Sequence, residues 1–376
     1  MKGTAISLAC AALGALLCCS PLSGDAPKAE PDALFPVLVD GKVGYVDRVG
    51  SMIIEPRFST VENKMVFDAI TADGMAPLIE PEVLRTDRFV EGLEAVRVAK
   101  DPHSWGYIDM GGRLVIGPKF DGARSFSEGL APVQIGDRCG YIDKTGATVI
   151  EPRFDDVLGF SEGLARVTIG KKHGYVDTGG KLVVEPRFES AFWFSGGLAN
   201  VCVKSDDGDQ ERWGYINKTG AFAIEPRFAL AGHFSEGLAA VFVEDKGWGY
   251  IDATGTMIIP AQFSGALWFS EGLAAVAVTV GNPEELKWGY ADRTGKLVIA
   301  PQFEGAWCFT EGLAAVALRS KWGYIDKTGA IAIVPQFDGG EAFAQGLACV
   351  HLGTTPDANK LGYVDHTGRY VWQPRR

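Results

Sequence analysis

Histidine and cysteine are scarce in this chain, with 5 and 7 copies among 376 residues. The histidines are scattered, and no His-Glu-x-x-His helix motif or Gly-x-Ser-x-Gly elbow occurs. That removes the usual sequence signatures of zinc hydrolases and serine hydrolases. Only Cys139, Cys202, Cys308 and Cys349 lie beyond the N-terminal segment. No two of them share a local spacing, so they read as apolar substitutes in a packed interior and not as a disulfide framework. Basic residues are also in deficit, with a formal net charge of −11. No basic stripe appears, which argues against a nucleic-acid partner.

Long hydrophobic runs are missing too, apart from one. Lys2 is followed by the apolar stretch Ala5 to Cys19, then by Ser20-Pro21 and a polar segment rich in Pro, Ala and Asp. The run is too short for a spanning helix and has the layout of a bacterial secretory signal. Residues 1–19 are therefore expected to be a signal peptide and residues 20–34 a linker. Leu16-Leu17-Cys18-Cys19 loosely follows a lipobox, which makes Cys19 the candidate acylation site and the only expected membrane attachment. Cys18 stands where that motif prefers a small residue.

Glycine, by contrast, is abundant at 48 residues, about double ordinary usage. The excess is periodic. A Gly-Tyr pair recurs nine times, from Gly44-Tyr45 to Gly362-Tyr363. A second glycine follows each tyrosine by five residues, from Gly50 to Gly368. Asp stands two residues after the tyrosine in every copy except at Asn217. The spacing is 34 to 40 residues except across the first interval, where an insertion at 59–88 intervenes. A repeat of this length signals stacked supersecondary units.

Each unit predicts three strands, taking the sixth as an example. Leu238 to Val243 is β-branched and apolar, as is Thr256 to Ile259. Trp248 to Asp252 lies between them and carries the signature. Asp252-Ala253-Thr254-Gly255 has the chemistry of a tight hairpin, and Pro260 ends the last strand. Fourteen residues separate Gly140 from Phe154 and six separate Phe154 from Phe160, and both spacings recur along the frame. Only the connection between the first two strands varies in length. These strands are apolar on both faces, so neighbouring units must cover them. The expected fold is an all-β tandem array of about nine three-stranded antiparallel meanders over residues 35–376, stacked like propeller blades. An open superhelical array is the alternative, and a short fourth strand has room in the Phe-x5-Phe segment.

The array resembles the bacterial WG-repeat proteins, also called KWG repeats. Trp105-Gly106, Trp213-Gly214, Trp248-Gly249, Trp288-Gly289 and Trp322-Gly323 carry the signature pair. Val43, Cys139, His173 and Leu361 replace the tryptophan elsewhere. The resemblance implies binding or scaffolding and supplies no catalytic residue.

No cofactor, metal or catalytic constellation follows from the residues. Gly289 to Gly295-Lys296 has one residue too many for a phosphate loop and is one of the nine hairpins. The acidic run Asp206, Asp207, Asp209 and Glu211 has oxygen ligands but lacks the full spacing of a calcium loop. With Asn282, Glu284, Glu285 and Asp357 it forms the candidate set of binding loops, since variable loops on a constant frame are where specificity usually sits. Two further rows are open to either a structural or a ligand-binding role. One is the glutamates at Glu91, Glu128, Glu162, Glu236, Glu271 and Glu311. The other is the slot that is basic from Arg57 to Arg227 and glutamine at Gln262, Gln302 and Gln336. Trp193, Trp268 and Trp307 suit either core packing or a sugar-stacking platform. The expectation is an exported, non-catalytic protein-binding or scaffolding module at the bacterial envelope, with a glycan or cell-wall ligand as the alternative.

Overall fold

A computed structural model describes residues 33–59, 89–98, 103–204, 210–281, 285–353 and 361–373. These residues form nine separate antiparallel sheets, each built from one repeat with its strands paired in chain order. The sheets are the blades of a closed nine-bladed β-propeller, spanning residues 35–59, 93–120, 122–154, 156–188, 190–228, 230–263, 265–303, 305–337 and 339–372. Blades 3 to 9 have four strands, one more than the three-stranded unit expected. The addition lies where the Phe-x5-Phe segment leaves room. In blade 7 it is Gly265–Ser270, followed by Leu273–Thr279, Leu286–Asp292 and Leu297–Phe303. The first strands of blades 6 and 7 touch each other, which places them toward the axis. The last strand, buried only at Ile299 and Phe303, is the outer rim.

The Trp-Gly-Tyr signature has a local cause. In blade 6, Tyr250 pairs with Ile259 but Trp248 pairs with Phe263, so the outer strand bulges at Pro260-Ala261. The bulge turns the Ile259 carbonyl onto the middle strand, where a Cβ on Gly249 would lie 2.6 Å from it. A Cβ on Gly140, Gly214, Gly289 or Gly323 would meet the equivalent carbonyl of its own blade at 2.4 to 2.6 Å. Only glycine lets the two backbones approach this closely.

The tyrosine then joins one blade to the next. The Tyr250 hydroxyl donates to the Leu267 carbonyl at 2.7 Å, and its ring packs on Phe269 with centroids 4.8 Å apart. Tyr107, Tyr141, Tyr175, Tyr215, Tyr290 and Tyr324 donate to the equivalent carbonyl of the following blade at 2.6 to 2.9 Å. The last tyrosine closes the ring. Tyr363 donates to Pro36 of blade 1 at 2.9 Å, and Phe35, Val37 and Val46 pack with Leu347, Cys349 and Tyr363. Blade 1 has three strands among the described residues, so the acceptor there is its innermost described strand. Closure therefore uses a tyrosine-to-carbonyl bond of the kind that joins blades 2 to 9.

Removing this joint should be costly. Tyr250→Phe leaves the buried Leu267 carbonyl unpaired and is expected to lose about 1–3 kcal/mol. Tyr250→Ala also opens a cavity and should lose about 3–5 kcal/mol. Shortening the loop at Asp206 to Glu211 should cost less than about 1 kcal/mol, because loop closure depends weakly on length. Equal losses for the loop and tyrosine variants in chemical denaturation would overturn this account.

Candidate interaction surfaces

Because the strands of each blade alternate in direction, two kinds of turn meet on one face of the ring. These are the Ser-Glu-Gly turns between the first two strands and the Asp-x-Thr-Gly turns between the last two. In the first kind, Glu271 and Gly272 both have positive φ, 53° and 85°. That two-residue geometry matches the twist of a hairpin, although a non-glycine residue there costs about 1–2 kcal/mol. The carboxylate offsets the strain. Glu271 accepts from the Gly312 amide at 3.1 Å and meets Lys327 Nζ at 3.0 Å, both in blade 8. Glu91, Glu162, Glu236 and Glu311 repeat the arrangement with Lys144, Lys218, Arg293 and His366 of the following blade. Glu128 bonds the Gly163 amide at 2.9 Å. Blade 5 has Gly196 in this slot, and the matching cation position of blade 6 is Ala253. The glutamate row is therefore an interblade belt whose carboxylates are engaged within the ring.

The basic slot is engaged as well. Arg187 and Arg227 donate to the Gly220 and Gly255 carbonyls of the next blade at 2.6 Å, and Lys119 donates to Gly146 at 2.9 Å. Arg57 and Arg153 make the same contact with Gly112 and Gly180. Each cation also lies over the phenylalanine that follows it, as Arg187 does over Phe188 at 4.9 Å.

The rim changes character around the ring. In blades 1, 3, 4 and 5 the outer strand carries Glu-Pro-Arg, as at Glu151-Pro152-Arg153. In blades 6, 7 and 8 those positions read Pro260-Ala261-Gln262, Ala300-Pro301-Gln302 and Val334-Pro335-Gln336. Ile258, Val298 and Ile331 are exposed beside them, and Val334 is 67% exposed. An arc of three blades thus presents apolar side chains without the charges that accompany them elsewhere. The basic-to-glutamine change was visible in the sequence, but only the bulged outer strand shows that the residue two places earlier is exposed with it.

Near the axis the residue before each first-strand phenylalanine forms a row. Trp193, His233 and Trp268 come from blades 5, 6 and 7, with ring centroids 5.5 and 5.2 Å apart. Cys308 of blade 8 continues the row, its thiol 3.4 Å from the Trp268 carbonyl. Trp307 stacks on Trp322, with centroids 6.4 Å apart. Every Trp, Tyr and Phe among the described residues is at least partly buried, so these rings serve packing. Burial pushes His233 down to about 4, and its Nε2 has no hydrogen-bond partner among the described residues. His173, in a tryptophan slot, is likewise pushed down to about 4 by burial and contacts Thr168 Oγ1 at 2.9 Å. His366 stacks on Phe343, with centroids 4.3 Å apart. The four internal cysteines are buried, and no disulfide joins them.

The strand ends that flank the expected binding loops, those of the second and third strands, lie on the opposite face. Asp206, Asp207, Asp209, Asn282, Glu284 and Asp357 lie outside the described residues, as do Cys19 and most of the insertion. Two members of the set are described. Glu211 opens the third strand of blade 5, with its carboxylate 3.7 Å from the Cys202 thiol. Burial first, and then this carboxylate, push that thiol upward. The Glu285 carbonyl accepts from Val280 at 3.1 Å and closes the hairpin stem in blade 7.

Among known families, the one described as WG containing repeat matches residues 105–139, 140–172, 174–205, 213–246, 248–278, 288–322 and 322–353. No curated protein matches the chain. Among solved structures, a eukaryotic initiation factor is similar in fold, with a TM-score of 0.59 at 10% identity. That similarity covers 90% of this chain and 94% of the other. BamB from Moraxella catarrhalis gives a TM-score of 0.43 at 12% identity, covering 74% and 93%. At 10% identity the likeness to the initiation factor concerns the fold alone.

The buried histidines make stability depend on pH. Both have folded values near 4, below the unfolded value of about 6.5. As pH falls below about 6.5 the unfolded chain takes up protons first, so stability is complete above that value and declines toward pH 4. Asp252 acts at still lower pH. Held down by its bond from the Thr254 hydroxyl and by backbone amides, it loses its contribution only below the usual aspartate range. The melting temperature should therefore fall between pH 7 and 5, and His233→Phe should reduce that fall. An unchanged pH slope in the variant would refute the assignment.

Proposed function

This chain belongs to the WG containing repeat family, and we propose that its nine-bladed ring is a binding module for a protein partner, exported and held at the bacterial envelope. A repeat-based binding module is the reading that family and fold share, and the family is not a known enzyme class. The observation that carries a protein partner is the uncharged apolar arc of blades 6 to 8. Apolar surface grouped on one side of an otherwise charged rim suits a protein interface. The turn belt has its polar groups engaged between blades, and the described aromatic rings are packed against neighbours. Neither offers a comparable unsatisfied surface. The variable loops around Asp206 to Glu211, Asn282 to Glu285 and Asp357 would add long-range attraction that weakens with salt. Support for the location comes from Lys2 and the run Ala5 to Cys19, with Cys19 as the acylated residue.

Two sets of variants separate rim from loops. Ile258→Glu, Val298→Glu and Val334→Glu introduce charge on the arc. Grafting the short Gly170-Lys171-Lys172 connection into the three long sites removes the loops. The measurement is photo-crosslinking from blade 7 in envelope extract, read by mass spectrometry. Loss of the crosslinked protein with the rim variants, and a weaker salt-dependent loss with the grafts, is expected. Crosslinks indifferent to all rim changes would transfer the interface to the loops, and a saccharide product would overturn the protein reading. Fractionation should find the chain outside the cytoplasm, with Cys19→Ser releasing it from membranes. A cytosolic chain retaining Met1 would remove the envelope assignment.

A further inference from the structure

Blade 9 departs from its neighbours at three adjoining slots. Its second strand has Cys349 where blades 6, 7 and 8 have Ala240, Ala275 and Ala315. Two residues later it has His351, where blades 7 and 8 have alanine. Its first-strand segment has Glu341, where blade 8 has a tryptophan. Strand register brings the three together. The Glu341 amide donates to the Cys349 carbonyl at 2.9 Å, and His351 lies opposite Gly339. Residues two apart share a face of a strand, so the thiol and imidazole point the same way. One ligand atom from each of the three residues lies within 4.8 Å of the others, and His351 Nε2 is 3.6 Å from a Glu341 carboxylate oxygen.

The surroundings suit an ion. Cys349 packs against Phe35 and Val37 of blade 1, so the cluster lies at the seam where the ring closes. The thiol is fully buried, while the imidazole and carboxylate are 22% and 31% exposed, which leaves a route from solvent. We propose that Glu341, Cys349 and His351 form a three-ligand site for a zinc-class divalent cation. Thiolate, imidazole and carboxylate together favour zinc and its neighbours over magnesium or calcium. Metal–ligand bonds of about 2.0–2.3 Å require the three donors to draw together by about 1 Å. The two partly exposed side chains can rotate to do so. A tetrahedral ion would keep its fourth position for water. Binding takes the thiolate, so the Cys349 proton passes to solvent, one for each ion bound.

Alanine at two of these slots in neighbouring blades means that Cys349→Ala and His351→Ala restore the ordinary repeat. Cobalt(II) is the probe, titrated into the full chain and then displaced by zinc. One cobalt per chain is expected, with a thiolate-to-cobalt absorption band in the near ultraviolet. Cys349→Ala should abolish the band, and His351→Ala and Glu341→Gln should weaken binding by more than about tenfold. Cys308→Ala should change nothing. Metal-free melting curves matching the parent would show that the variants are folded. If Cys349→Ala does not fold, the other two variants carry the test. Absence of the band in the parent would overturn the site, as would its survival in Cys349→Ala or unchanged affinity in both other variants.

Discussion

The hydrogen bond from eight of the nine signature tyrosines to a carbonyl of the following blade is the constraint on which the structure depends. It is buried, so breaking it leaves a polar group without water to replace the partner. It also fixes geometry. The phenol must reach across the blade boundary while its ring packs on the phenylalanine of the next first strand, as Tyr250 does with Leu267 and Phe269. Eight repetitions of one contact set one rotation per blade. The last, from Tyr363 to Pro36, is possible only because those rotations complete a circle.

The other repeated residues serve that joint. Glycine beside the tyrosine accommodates the outer-strand bulge, and the turn glycine packs against the preceding blade. Gly255 would place a Cβ 3.0 Å from Ile224, and Gly50 would place one 2.3 Å from the Val371 carbonyl across the seam. Glutamates in the first turn and basic residues on the outer strand tie the same boundaries through backbone groups. Individually, such exposed ion pairs contribute little. Their value lies in fixing orientation where the blades meet on one face.

This economy explains why the frame says little about a ligand. Residues repeated for structural reasons are spent on neighbouring blades, and function must be sought where a blade departs from the pattern. Three departures stand out among the described residues. The rim of blades 6 to 8 has lost its Glu and Arg pair, the axial row has gained Trp193, His233 and Trp268, and blade 9 has replaced apolar slots with Glu341, Cys349 and His351.

Three strands per unit, the Asp-x-Thr-Gly hairpin turn, the nine-fold count and the family were legible in the sequence, although the last strand bulges at Pro260 and continues to Phe263 where the proline was expected to end it. All of them follow from local chemistry: alternation, turn residues and spacing within about 40 residues. The short additional strand was only suggested. In several blades it is two residues long, as at Gly305–Ala306, and its pairing depends on the neighbouring strand. Closure was not decided by any residue, because a small rotation per repeat separates a ring from a superhelix and only its sum distinguishes them. The roles of the glutamate and arginine rows were equally undetermined, since their backbone partners stand 27 to 55 residues away in the next blade. Glu341 and Cys349 are eight residues apart in the chain, and only strand register makes them neighbours of His351 at the seam.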